Sequence, residues 1–147
     1  MASRRSGNQM ALHYLHVHRS TELPDITHHA PFKAVICVEE APTPDRQREI
    51  SEWLVAMGCR YVMTLGENCE AWCDSVRKAN LARFGIDTMD ERDFVMTTGH
   101  PHESLKAVFW YAKKAAKHPK MKLSECVVLH LADRNRAAEY EMIYRRA

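Results

Sequence analysis

From Phe32 onward, short apolar runs of strand length alternate with longer stretches whose apolar residues recur every three or four positions. Residues 33–38 form a compact apolar run that ends at Glu39-Glu40. Thr43-Pro44 then reads as a helix start, with Thr43 as N-cap and Pro44 in the first helical position. Ile50, Trp53, Leu54 and Met57 follow at helical spacing, and Gly58 supplies the stop. Residues 60–65 read as a second strand that closes at Gly66. The next helix is expected over 67–84, with Cys69, Trp72, Cys73, Val76 and Ala79 as its stripe and Gly85 as its end. An acidic loop (Asp87, Asp90, Glu91, Asp93) leads into a strand over 94–98. Pro101 is expected to open a third helix with the stripe Leu105, Val108, Phe109, Ala112 and Ala116, stopped by Pro119. Residues 126–132 make the most continuous apolar run, a strand covered on both faces. Residues 134–146 make a final, weakly amphipathic helix.

Four strands alternating with four helices predict a three-layer, Rossmann-like α/β fold, with a mainly parallel sheet and helices on both faces. Residues 12–17 are expected to add an N-terminal edge strand, and 19–31 read as a proline-punctuated connector. The chain thus divides into an N-terminal extension over 1–30 and a single α/β domain over 31–147. Residues 1–9 are polar and without periodicity, which makes Met10 a candidate start.

Composition narrows the classes without naming one. With 147 residues, 46% hydrophobic and 27% charged, the chain is neither disordered nor low-complexity. No apolar run approaches the ~18 residues of a membrane span, and no signal-like apolar core follows Arg4 and Arg5, so a cytoplasmic protein is expected. A net charge of +2 argues against a nucleic-acid coat. The 5 cysteines are odd in number and three of them (Cys37, Cys59, Cys126) lie in or beside apolar runs, so they read as buried thiols rather than a disulfide framework.

Ligands of open parallel sheets bind beyond the carboxyl ends of the strands. Here those ends gather Glu39, Glu40, Glu67, Thr97, Thr98, His100, His130 and Asp133, groups suited to polar recognition or acid–base work. His130 interrupts an otherwise apolar strand, where it must find a hydrogen-bond partner; a satisfied core histidine is the plainer reading. His100 is expected to be partly exposed, beside the Thr97-Thr98 pair, in a crevice shared with Glu39 and His130.

Other chemistries lack their motifs. No GxGxxG or GxxxxGK[ST] follows the first strand, and 5 glycines leave little for a phosphate cradle. No Gly-x-Ser-x-Gly elbow is present, and the strand over 94–98 ends in threonines rather than a phosphoacceptor aspartate. Cys69 and Cys73 share a helix face with Trp72 and so point to the core; without CxxC spacing they predict neither a metal site nor a redox pair. Neither metal nor cofactor is expected. Six lysines between Lys106 and Lys122, with Trp110 and Tyr111 among them, fit a solvated outer helix face better than a nucleic-acid surface.

The segments Glu52-Trp53-Leu54-Val55, Gly58-Cys59-Arg60-Tyr61-Val62-Met63, Gly66…Cys69…Trp72, Asp74-Ser75-Val76 and Phe94-Val95-Met96-Thr97-Thr98…His100 carry a resemblance. Over roughly 31–131 the chain resembles an uncharacterised family of small bacterial domains of unknown function. Its pattern has an acid where Cys73 stands and a tryptophan where Gly99 stands. The resemblance implies that Trp72, Asp74, Ser75, Thr97, Thr98 and His100 belong to one pattern, joining a helix start to a strand end. It implies no activity.

The expected function is therefore a binding or regulatory module that recognises a protein partner or a polar small molecule at the sheet's carboxyl edge. The alternatives are a hydrolase- or transferase-type enzyme with His100 or His130 as base and Glu39 or Asp74 orienting it, and a nucleic-acid accessory protein using the lysine-rich helix. Whether the chain is an enzyme stays open at this point.

Overall fold

The structure, a computed structural model, describes residues 11–147; the candidate start at Met10 lies outside them. Five strands form one all-parallel sheet: β1 (Ala11–Val17), β2 (Phe32–Val38), β3 (Cys59–Gly66), β4 (Met96–His100) and β5 (Glu125–Leu131). Their spatial order is β1-β5-β2-β3-β4. Four helices cover it: α1 (Pro44–Met57), α2 (Cys69–Phe84), α3 (Leu105–Lys114) and α4 (Ala137–Arg146).

The three layers follow from strand periodicity. Successive β2 side chains alternate faces: Phe32, Ala34, Ile36 and Val38 pack with Ile50, Leu54, Trp72 and Val76 of α1 and α2. Val35 and Cys37 pack on the other face with Val108, Phe109, Tyr140 and Tyr144 of α3 and α4. All seven β2 residues are buried, as a central parallel strand requires. Among them is Lys33, whose ammonium reaches the Ala112 carbonyl near the end of α3. That carbonyl is one of the groups a helix C-terminus leaves without an internal partner.

Helix α1 begins and ends where its sequence predicts. The Thr43 hydroxyl accepts the Arg46 N–H, Pro44 is the first helical residue, and Gly58 closes the helix at φ 103°. A Cβ at Gly58 would also meet the Ala30 Cβ at 2.4 Å, so glycine is required there twice over.

The edge strand expected over 12–17 is β1, paired to β5 from Ala11↔Glu125 to Val17↔Leu131. Helices α2 and α4 begin later than the sequence reading has them, at Cys69 and Ala137, and α3 ends at Lys114, ahead of Pro119; two further boundaries differ for a visible reason. Strand β4 starts at Met96 rather than residue 94, because Asn80 Oδ1 takes the Val95 N–H at 3.0 Å and Phe94 stays exposed. The ladder therefore runs on to His100, opposite Leu65. Helix α3 starts at Leu105 rather than at Pro101: Ser104 caps it by accepting the Ala107 N–H at 3.1 Å, and residues 101–102 form a turn.

Candidate functional site

The strand order creates one switch point. From β2 the chain crosses through α1 and α2 on one face to β3 and β4; from β5 it turns to α4 on the opposite face. The exits of the adjacent β2 and β5 thus diverge and open a crevice, as in other doubly wound sheets. The two exits remain joined below it, where the Glu39 and Glu40 N–H groups both donate to the Leu131 carbonyl at 3.0 and 2.9 Å.

His130 forms the floor. It is fully buried on the α4 face, flanked in register by His16 on β1 and Cys37 on β2, and stacked on Tyr140 at 4.5 Å between centroids. The Arg136 N–H donates to the Tyr14 hydroxyl at 2.9 Å, leaving the phenolic proton to point at His130 Nδ1, 2.6 Å away. That pattern puts the imidazole proton on Nε2. Nε2 lies 3.2 Å from Glu39 Oε2, within ion-pair distance, but the ring N–H is aimed off the line between them, so the contact is a poorly aligned one. Burial pushes the His130 pKa down, opposed in part by Glu39. The same burial raises Tyr14 and holds the Cys37 thiol up at about 12, so neither ionises readily here.

Charged groups ring the opening. Glu39, 44% exposed, accepts from Arg136 at 3.0 Å, and Arg136 is held in turn by a two-pronged contact to Glu139 at 2.8 and 2.6 Å. Glu40, Asp133 and Arg134 complete this wall. His18, 3.5 Å from Asp133, and the start of α1 line an adjoining cavity of about 230 Å³ with Val17, Arg46 and Leu131. Buried Arg46 Nε has no hydrogen-bond partner among the described residues, although its other guanidinium nitrogens bond Glu49 and the His18 and Thr21 carbonyls.

Of the residues singled out from sequence, Glu39, Glu40, His130 and Asp133 come together here. The others do not. Strand β4 is three places from β5, roughly 14 Å at ~4.8 Å per strand, beyond any shared hydrogen-bonded site. His100 is buried, not partly exposed: it is the last residue of a strand and lies between the Thr98 hydroxyl and Glu103, each at 2.8 Å. Thr97 lines a separate depression with Cys69, Cys73 and Pro101. Trp72 is core, 1% exposed, and Cys69 and Cys73 are buried beside it as expected. Asp74 pairs with Arg77 on the outside of α2, and Ser75 faces a groove between α1 and α2. Glu67 is exposed in the turn after β3.

The residues the sequence reading missed are Tyr14, His16, His18, Arg136 and Tyr140. Tyr14 and His16 alternate along β1, the period that puts side chains on one face of a strand, and His18 follows just past its end. Only the pairing of β1 with β5 reveals which residue they face. In the lysine-rich segment, Lys113 is tied to the Tyr144 carbonyl and lies 4.4 Å over that ring, while His118 accepts the Lys120 and Met121 N–H groups; both are structural ties. Among the described residues no helix is long and apolar enough to cross a membrane.

Comparison with curated proteins and with solved structures gave no match. The profile of a family described as a domain of unknown function, DUF7684, matches residues 12–147, from within β1 to the end of α4. The matched span takes in every strand and helix around the crevice, and the chain belongs to this family.

Proposed function

We propose that the protein is a binding or regulatory module that recognises a small polar molecule in the switch-point crevice. One observation carries this reading: a fully buried histidine sits at the floor of the crevice, with its Nε2 facing a carboxylate but without an aligned hydrogen bond. Buried polar atoms in folded proteins are nearly always paired, so a poorly paired one calls for an explanation, and a position meant for a ligand is one. Glu39 stands between His130 and solvent, so a ligand that draws the Glu39 carboxylate toward itself also changes the environment of His130. Glu39 and Arg136 neutralise one another. Across the lining, Glu39, Glu40, Asp133 and Glu139 outnumber Arg134 and Arg136, which favours a ligand that presents hydrogen-bond donors or a cationic nitrogen. The crevice itself measures about 510 Å³ and the adjoining cavity about 230 Å³, so the crevice falls within the ~300–1,000 Å³ of typical small-molecule sites.

The test is a thermal-shift screen of amines, amino acids, nucleotides and other polar metabolites against the wild type and two exposed-site variants, Glu39→Ala and Asp133→Asn. A specific ligand raises the melting temperature of the wild type by mass action. The shift should shrink in both variants. Hits that both variants retain in full would place recognition elsewhere on the molecule.

A second reading has its own observation. Tyr14, His130 and Glu39 form a chain of ionisable groups from a half-buried phenol to an exposed carboxylate, the parts list of acid–base catalysis. A hydrolase- or transferase-type enzyme built on it would use Glu39 toward substrate, with His130 as a positioning residue behind it. Such an enzyme would turn over a compound found in the screen, and the His130→Asn variant would bind that compound without consuming it.

A further inference from the structure

A different cluster lies at the opposite, amino-terminal edge of the sheet, and it goes beyond the crevice reading. Glu125 is the first residue of β5, His13 stands two positions into the register of neighbouring β1, and His29 ends a single 3-10 turn (Thr27–His29) in the connector. Their ligand atoms all lie within 4.8 Å of one another. His13 Nε2 and His29 Nδ1 converge on the same carboxylate oxygen, Glu125 Oε1, at 2.8 and 2.5 Å. The two imidazole rings stack at 3.9 Å between centroids, with 27° between their planes, so both nitrogens face one point from the same side.

We propose that His13, His29 and Glu125 form a binding site for one divalent transition-metal ion of the zinc class. Two imidazoles and one carboxylate are an N,N,O set that first-row ions prefer and that magnesium and calcium, which select oxygen, do not. Metal–ligand bonds of ~2.0–2.2 Å in tetrahedral array put donor atoms roughly 3.3 Å apart. The present 2.8 and 2.5 Å contacts open to that spacing by about 0.5 and 0.8 Å, and the two imidazole nitrogens already lie within 4.8 Å of one another. The side chains are 34%, 15% and 34% exposed, open enough for an ion to enter and for water to fill its remaining position. The bound ion would join three chain segments that are far apart in sequence, fastening the edge strand and the connector to β5. Three protein ligands from three elements give the native fold an affinity that the unfolded chain lacks, so binding stabilises the fold.

The experiment titrates the metal-stripped full chain with zinc by calorimetry and follows the melting temperature, with magnesium as the control ion. Variants are His29→Ala, Glu125→Gln and, at the crevice, His18→Ala. The last is needed because His18, Glu40 and Asp133 also bring ligand atoms within 4.8 Å of one another. The expected result is one zinc per chain, a raised melting temperature, and no comparable effect of magnesium. Affinity should fall at least about tenfold in His29→Ala and Glu125→Gln, since even residues behind the ligands cost ~10–100-fold, and stay unchanged in His18→Ala. Should His29→Ala fail to fold, the nearly isosteric Glu125→Gln decides. The site is overturned if the wild type binds no zinc, if Glu125→Gln binds it as tightly as the wild type, or if the His18→Ala variant is the one that loses it.

Discussion

Single residues in this protein take their meaning from what their neighbours leave unsatisfied. His130 and His100 are both buried histidines near strand ends, yet their surroundings differ. His100 is engaged at both ring nitrogens, by Thr98 and Glu103, and so acts as a joint between β4 and the turn that follows. His130 is engaged at Nδ1 by Tyr14 and faces a carboxylate at Nε2 without an aligned bond. Its folded-state pKa lies below the ordinary 6.5 because burial penalises the imidazolium. For a histidine depressed in this way, the unfolded state takes up the proton first. The contribution to stability is thus complete above about pH 6.5 and is lost as pH falls through that value toward the folded pKa. Melting temperatures measured from pH 8 to pH 5 should fall for the wild type and fall less steeply for His130→Asn. Parallel profiles for the two proteins would show that His130 stays neutral in both states or is equally protonated in both.

At the scale of elements, most boundaries are set by local chemistry, and the exceptions arise where a side chain captures a backbone group. Helix α1 is written in its own sequence by Thr43, Pro44 and Gly58. Strand β4 is not. Asn80, buried on α2, donates to the Asp93 carbonyl at 2.8 Å and accepts the Val95 N–H at 3.0 Å, replacing the first rung that the strand would otherwise make. This one amide positions the loop before β4 and so fixes where Thr97, Thr98 and His100 lie. The Asn80→Ala variant leaves the buried Val95 N–H and the part-buried Asp93 carbonyl without their amide partner, at ~1–3 kcal/mol for the buried group and less for the other. We expect a loss of about 2–3 kcal/mol after partial relaxation, read as a lower urea midpoint at unchanged m-value. A loss below about 0.5 kcal/mol would mean that water or the strand itself supplies those bonds.

For the molecule as a whole, β1 is the decisive element. It covers the outer edge of β5, a strand whose residues from Cys126 to Leu131 are all buried, and it carries Tyr14 and His16 to the floor of the crevice. It also carries His13 to the cluster at the opposite edge. A fragment limited to residues 31–147 would expose the long apolar edge of β5 and leave His130 Nδ1 without Tyr14. Uncovered edges of this kind pair with other chains. The fragment should therefore aggregate, or unfold without a cooperative transition, when followed by size-exclusion chromatography and far-ultraviolet circular dichroism. A monomeric fragment with the urea midpoint of the full chain would show that β1 is dispensable to the fold.

The sequence by itself determined the layer architecture, the parallel sheet and the span of α1, because these rest on local periodicity, capping and glycine stops that lie within a few residues of one another. It also marked Glu39, Glu40, His130 and Asp133, since residues that follow strands in such a sheet share one edge. The position of each residue along that edge depends on strand order, which is set by pairings between distant segments. With β5 inserted between β1 and β2, His130 meets Tyr14 from 116 residues away, and His29 meets Glu125 across 96. The same order puts β4 at the far side of the sheet and takes Thr97, Thr98 and His100 out of the crevice. Such contacts have no local signature, because what selects them is the burial of two faces of a sheet at once, a property only the assembled fold possesses.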